Sequence, residues 1–190
     1  VYDAGNACVS INGMPENVVE YCHIFDGGKA CKDVSLLYTH LPNITGTVFR
    51  YNWVHDCHAP HIALGIRGDD QTRGLSVHHN VVWNCGWEGI VVKGDNNQVH
   101  HNTCFNNGVM DIRLDVEPEP KKPWRKQWPL LEKQNEHSEA FNNNANDIRG
   151  GRSRPGIQPG GKVASNFTGD MADPDGFDFR PAEGSSLIDR

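Results

Sequence analysis

Nearly the same nine residues occur three times in this chain. Residues 49–57 read FRYNWVHDC, residues 77–85 read VHHNVVWNC, and residues 99–107 read VHHNTCFNN. Asn80 and Asn102 hold the same place in the second and third copies, 22 residues apart. A period of this length, with short β-like runs and Asn at the turns, predicts a β-solenoid, whose coils pair in parallel about 4.8 Å apart. Like residues of successive coils then stack in columns, and stacked Asn side chains form hydrogen-bonded ladders.

Aligning the copies extends these columns over most of the chain. The match of FNNGVMDIR at 105–113 with FNNNANDIR at 141–149 places Ser138 in the column of Asn102. It also predicts an aromatic-rich column that includes Trp83, Phe105 and Phe141. An apolar column on the following strand contains Ile62, Ile90, Ile112 and Ile148. A leucine-rich repeat has a similar period, but the chain lacks the L-x-x-L-x-L signature.

The segment GIVVKGDNNQVHHNTCFNN at 89–107 resembles the repeat of right-handed parallel β-helix proteins, the pectate-lyase-like superfamily. The resemblance covers residues 1–150 and implies an all-β, right-handed parallel β-helix of about five to six coils. A loop insertion is expected at about 115–135. Residues 151–190 are expected to form an irregular capping tail, because DPDGFDFRPAEGSSLIDR resembles the closing segment of many secreted bacterial β-helix proteins.

The first residues give one more expectation about the length of the protein. Val1 aligns with Val82, in the middle of a coil. We therefore expect further N-terminal coils, so that one partner of this chain is the remainder of its own longer polypeptide.

Composition and short motifs favour an extracellular protein that binds no nucleic acid. The net charge is −6, whereas nucleic-acid binders usually carry a basic face. No apolar run approaches the length of a membrane span. Asn-X-Thr triplets begin at Asn43 and Asn166 and are candidate N-glycosylation sites.

The spacing of the cysteines predicts two disulfides between adjacent coils. Cys8 and Cys31 are 23 residues apart, and Cys57 and Cys85 are 28 apart, which are the steps of the neighbouring columns. Stacked Cα atoms lie within the usual disulfide range of about 4.4–6.8 Å. The alternative is a stack of small buried thiols.

The residues that flank the isoleucine column are the candidate catalytic group. Strand alternation puts the neighbours of each isoleucine on the outer face of the sheet. This stripe contains His61, Asp111, Arg113, Asp147 and Arg149. Acidic, basic and imidazole groups in a groove could process a sugar chain, but ordinary ion pairs on a wet sheet would give the same pattern.

A calcium site is a second candidate. Asp69, Asp70 and Asp95 lie at predicted coil turns, and Ca²⁺ prefers such oxygen ligands. The superfamily resemblance implies that Ca²⁺ neutralises a uronate, with Arg67 or Lys93 as the base. The alternative is that these aspartates only form turns.

Polysaccharide is the expected partner, with Lys93, Trp83 and Trp124 as candidate binding residues. A lyase would remove the proton next to a uronate carboxylate, and a glycoside hydrolase would need two carboxyl groups about 5–9.5 Å apart. A non-catalytic carbohydrate-binding, adhesive or structural module is the third possibility, because exposed aromatic rings could stack on sugars.

Overall fold

The computed structural model describes residues 1–115, 135, 137–150 and 161–188. Three parallel six-stranded sheets run along this part of the chain, and each takes every third strand in turn. Such an all-β arrangement is that of a parallel β-helix, as the repeat predicts.

Strands are numbered in chain order. The first sheet contains β1 (Tyr2–Ala4), β4 (His23–Gly27), β7 (Trp53–Cys57), β10 (Val81–Cys85), β13 (Thr103–Phe105) and β16 (Asn144–Ala145). The second sheet contains β2 (Val9–Asn12), β5 (Asp33–His40), β8 (Ile62–Arg73), β11 (Glu88–Asp95), β14 (Met110–Asp115) and β17 (Ile148–Gly150). The third sheet contains β3 (Val18–Glu20), β6 (Val48–Arg50), β9 (Ser76–His78), β12 (Gln98–His100), β15 (Glu139–Phe141) and β18 (Lys162–Ala164).

Two further elements lie outside the three sheets. A short 3₁₀ helix spans Pro42–Ile44, and an antiparallel pair is formed by β19 (Met171–Asp173) and β20 (Asp178–Pro181). Among the described residues, no helix has the length and apolar character needed to cross a bilayer.

The core is built from stacked inward columns contributed by all three sheets. Val54 stacks between Ile24 and Val82 in the first sheet, and Ile90 between Ile66 and Ile112 in the second. All of these side chains are completely buried. Full burial of one such side chain contributes about 1.5–3 kcal/mol, so each coil is held by its neighbours.

A ladder of asparagines fills the corner between the third and first sheets. Asn80 donates its side-chain N–H to the Asn102 side-chain oxygen at 3.0 Å, and Asn102 donates in the same way to Asn143. The ladder contains Asn52, Asn80, Asn102, Asn143 and Asn166. The predicted stacking of Asn80 on Asn102 is confirmed, whereas the placement of Ser138 in this column is wrong.

Two other predicted columns are out of register. Phe141 pairs with His100 in the third sheet and not with Phe105, because the repeated FNN occurs at two different corners of the coil. Ile66, rather than Ile62, pairs with Ile90. The corner from Cys57 to Ile66 is nine residues long (66 − 57), against five from Cys85 to Ile90 (90 − 85), which shifts the register by four.

The cysteines are free thiols in the structure, so neither predicted disulfide is present. Cys57 and Cys85 do share a column, as predicted. Cys8 instead lies beside Leu36, since its N–H donates to the Leu36 carbonyl and Val9 pairs with Leu37. Burial raises the pKa of Cys57 to about 11. The alternative prediction, a stack of small buried thiols, therefore fits Cys57 and Cys85 in the first sheet.

The tail covers the outer face of the first sheet. Phe177 stacks on Trp53 at a ring-centroid distance of 5.7 Å, and Phe179 contacts Trp83 at 5.1 Å. This contact covers the middle of the predicted aromatic column. The predicted loop at 115–135 lies mostly outside the described residues, and Trp124 is in that part of the chain.

Candidate functional site

Two clefts meet at Arg67 on the outer face of the second sheet. One has a volume of about 410 Å³ and includes Asp33, Tyr38 and Asp69 among its walls. The other has a volume of about 460 Å³ and is lined by His61, Ile62, Leu64, Arg67, Trp87, Glu88, Val91, Lys93 and Arg113. We call the second one the cation cleft, because it contains three basic side chains.

Strand register explains why these cations converge. Arg67 pairs with Val91, and Val91 pairs with Arg113, so all three lie in one outward column. Val91 has a short side chain, which leaves space between the two guanidinium groups. Lys93 lies two residues further along β11 and therefore faces the same side.

Arg67 and Lys93 are held by one buried carboxylate. Asp69 lies 2.7 Å from Arg67 Nη2 and 2.5 Å from Lys93 Nζ, while Arg67 Nη1 reaches Asp33 at 2.7 Å. Burial acts to raise the pKa of Asp69, but the two cations outweigh it and leave this pKa below its ordinary value. Asp69 is therefore ionised near neutral pH.

Arg113 is held in a similar way at the other end of the cleft. Its Nη2 lies 2.9 Å from Glu88 and 3.7 Å from Asp115, both of which are completely buried. Charged hydrogen bonds to buried carboxylates fix the direction of a guanidinium group. Arg113 is thus a preorganised cation rather than a mobile surface side chain.

An aromatic ring and an imidazole form the open wall. His61 and Trp87 have ring centroids 5.5 Å apart and nearly parallel planes. His61 is exposed and Trp87 is half-buried. Both are accessible to a ligand that enters the cation cleft.

Tyr38 supplies a neutral donor in the neighbouring cleft. Its hydroxyl donates to Asp69 at 3.5 Å, and the Arg67 guanidinium lies 5.9 Å from its ring centre. Burial, together with the nearby Asp69 carboxylate, raises the pKa of Tyr38 well above its ordinary value. This hydroxyl keeps its proton throughout the neutral and mildly alkaline range.

The structure brings together only part of the predicted catalytic group. His61 and Arg113 line the cation cleft with Lys93, although His61 enters it from the corner before β8 rather than from the predicted column. Asp147 and Arg149 form an exposed ion pair at 2.7 Å, in line with the alternative interpretation.

Asp111 has a local structural role. It accepts hydrogen bonds from the Asn107 side chain and the Asn146 N–H, both at 2.8 Å. It is almost completely buried, and this burial raises its pKa. Asp111 is absent from the lining of the cation cleft and holds a corner between coils.

Two of the three predicted calcium ligands, Asp69 and Asp95, have side-chain partners within the protein. Asp69 faces two cations, and Asp95 accepts from the backbone and side chain of His137 at 2.8 and 2.9 Å. Asp95 pairs with Arg73 in the sheet, away from Lys93 and Asp69. No three His, Cys, Asp or Glu residues in the described part of the chain are arranged to hold a metal ion.

Two other predicted residues have structural partners. Trp83 is only 6% exposed under the tail, so it offers no open face to a sugar. Asn166 donates its side-chain N–H groups to Ala140 and Ala164 within the ladder, and a glycan on that nitrogen would break these bonds. Asn43 is exposed, and its side-chain nitrogen donates to Gly13 at 2.8 Å.

The sequence interpretation missed Trp87 and Glu88, although both lie in the motif GWEG directly before Ile90. Their position just before Ile90 of the predicted isoleucine column could have marked them as candidate site residues. Asp33 and Asp115, by contrast, become visible as partners of Arg67 and Arg113 only through the three-dimensional contacts. Comparisons with models of protein families, with curated proteins and with solved structures gave no significant match.

Proposed function

We propose that this chain is a secreted, right-handed parallel β-helix of the pectate-lyase-like kind that processes an acidic polysaccharide in the cation cleft. The observation that carries the proposal is the convergence of Arg67, Lys93 and Arg113 beside His61 and Trp87. The repeat motif supports the superfamily. The strong preference of parallel crossover connections for one hand supports the right-handed coil.

An acidic sugar is the ligand that these side chains would recognise. A guanidinium group binds a carboxylate with two parallel hydrogen bonds, and a fixed one loses little entropy on binding. An accessible indole such as that of Trp87 packs well against the apolar face of a sugar ring. The two clefts that meet at Arg67 form a path across several strands, which suits a chain of sugar units.

Lyase chemistry agrees better with the cleft than hydrolysis does, because the carboxyl group that lines the cleft, Glu88, is ion-paired with Arg113. A glycoside hydrolase needs one carboxyl group that is protonated and donates to the leaving oxygen. Asp69 has a lowered pKa, and Asp111, whose pKa is raised, lies in a corner outside the cleft. A lyase instead needs cations that stabilise the charge that develops on the uronate carboxylate.

Each residue then has a definite role in β-elimination. Arg113 and Arg67 bind the uronate carboxylate, and His61 accepts the proton from the adjacent carbon. The bond to the leaving oxygen breaks as the carbon–carbon double bond forms, and the leaving oxygen takes a proton from solvent water. Lys93 and Asp69 keep Arg67 in place, so they are positioning residues.

The test is incubation with acidic and neutral polysaccharides. A lyase gives the ultraviolet absorbance of an unsaturated uronate, and we expect His61→Ala and Arg113→Ala to lower its rate at least about a hundredfold, the scale of one general base. Arg149→Ala is the matched control, since its ion pair is exposed and outside the cleft. New reducing ends without that absorbance would show hydrolysis instead.

A binding module is the second candidate, and one observation favours it. Each of the three cations already has a carboxylate partner, which lowers the net positive charge available for catalysis. Binding of an acidic polysaccharide that needs Arg113 and gives no product would support this candidate and exclude the lyase.

A further inference from the structure

A pair of exposed aromatic rings lies on the first sheet, whereas the cation cleft lies on the second. Trp53 in β7 stacks on Phe177 of the tail with an interplanar angle of 14°. Trp53 is 38% exposed and Phe177 45% exposed, whereas Trp83 beside them is buried. Phe177 has a φ of 61°, a backbone conformation that is unfavourable for a bulky residue. The backbone strain at Phe177 therefore accompanies the stacking of its ring on Trp53.

A hydrogen-bonded relay ends at these rings. His55 lies 2.7 Å from Asp56 through Nδ1 and 2.7 Å from His23 through Nε2. His55 is buried and His23 is exposed. The Phe177 ring centre is 6.1 Å from both imidazoles, and Trp53 meets His23 edge to face at 5.7 Å.

The relay fixes the proton positions of both neutral rings. The Asp56 carboxylate can only accept, so His55 donates from Nδ1. The Nε2 of His55 is then an acceptor, and His23 must donate to it from its own Nε2. The remaining nitrogen of His23, Nδ1, carries a lone pair and can accept a hydrogen bond. Burial, as the main cause, lowers the pKa of both imidazoles, which favours these neutral forms.

The charge next to the rings differs from that of the cation cleft. A hollow of about 410 Å³ runs beside Phe177, and both Asp56 and Asp175 line it. No lysine or arginine is among the described residues that line this hollow. This hollow lies on the Phe177 side of the ring pair and is not lined by Trp53 or His23. Its carboxylates accept hydroxyl groups and disfavour an acidic sugar there.

We propose that Trp53, Phe177 and His23 form a second sugar-binding site, selective for an uncharged sugar chain. The aromatic pair packs against the apolar face of one sugar ring, and His23 Nδ1 accepts a hydroxyl proton from it. The tail thereby contributes a binding residue as well as covering the sheet. This site is separate from the cation cleft and does not depend on the proposed lyase activity.

Binding is measured by calorimetry with cellohexaose and mannohexaose as neutral probes and hexagalacturonate as the acidic probe. We expect at least one neutral probe to bind, and Trp53→Ala and Phe177→Ala to weaken it about tenfold or more, as expected for aromatic anchors of a binding site. The matched control is Tyr21→Ala, which removes an exposed aromatic ring outside both proposed sites and should leave neutral binding unchanged. Absence of binding by both neutral probes, or equal affinity in Trp53→Ala, would overturn the proposal.

A second experiment separates the site from a mere loss of folding. His23→Phe keeps an aromatic ring of similar size but removes both ring nitrogens, and with them the acceptor that the proposal places at His23. Nitrogen NMR should show protonated Nδ1 on His55 and protonated Nε2 on His23 in the native chain. The opposite forms, or unchanged neutral-sugar affinity in His23→Phe, would rule out the role given to His23.

Discussion

The asparagine ladder is the feature whose removal has the clearest expected cost. Asn102 is 1% exposed, and its side-chain oxygen accepts from both the backbone and the side-chain N–H of Asn80 at 3.1 and 3.0 Å. Its nitrogen lies within hydrogen-bond distance of the Val77 and His100 carbonyls and of the Asn143 side-chain oxygen. Asn102→Ala removes these bonds while the backbone of the corner stays in place.

The magnitude follows from the groups left without partners. The backbone N–H of Asn80 loses its acceptor, which costs about 1–3 kcal/mol. The bonds to the Asn80 and Asn143 side chains contribute about 0.5–1.5 kcal/mol each, because these side chains keep other partners. Some relaxation of the corner reduces the total, so we expect a loss of about 4 kcal/mol in the free energy of unfolding.

The assay is urea unfolding followed by circular dichroism, with Asn84→Ala as control. Asn84 also accepts from an asparagine of the next coil, Asn106, but this pair is exposed. The control should therefore cost only about 1–2 kcal/mol, mainly because Asn84 has a φ of 52°, which alanine tolerates less well than asparagine. A loss in Asn102→Ala no larger than in Asn84→Ala would refute the view that the ladder holds adjacent coils together.

Three further outcomes are expected. Burial and neighbouring imidazoles lower the pKa of His100 from 6.5 to about 4. As the pH drops from 6.5 to 4, His100 is therefore protonated in the unfolded chain before it is protonated in the folded one, and the free energy of unfolding falls. His100→Phe should reduce this loss of stability in thermal unfolding at acid pH, and an unchanged pH profile would contradict the prediction. Gly94→Ala should lower the free energy of unfolding by about 3 kcal/mol or more, because Gly94 has a φ of 113° and a methyl group there would overlap the Thr72 carbonyl. An unchanged thermal unfolding curve would contradict this prediction. Glu88→Ala should cost about 3 kcal/mol, because Arg113 loses its shorter ion pair and keeps the longer one with Asp115 at 3.7 Å, and Glu88→Gln should cost less; equal effects would argue against the ion pair.

The fold was readable from the sequence wherever corners keep the same length. Asn80 and Asn102, and likewise Cys57 and Cys85, were placed correctly because equal steps separate the neighbouring columns. The register failed at Ile62, where the preceding corner is longer and no periodic signal marks the extra residues.

The candidate site could be predicted only in part. Lys93 and Arg113 follow from strand alternation next to a core column. The burial of Trp83 depends on the tail, which has no repeat and so gives no sign of where it lies. A column position tells which way a side chain points, but it does not tell what covers that side chain.

The longer corner before β8 has a consequence for how this surface could change over time. In the next coil, Val91 faces the groove six residues after Cys85 (91 − 85). The same spacing after Cys57 would bring Ala63 to the groove, but the corner has four additional residues and brings Arg67 there instead. Gain or loss of a few residues in one bend can therefore exchange a methyl group for a guanidinium at the ligand face while the stacked interior stays as it is.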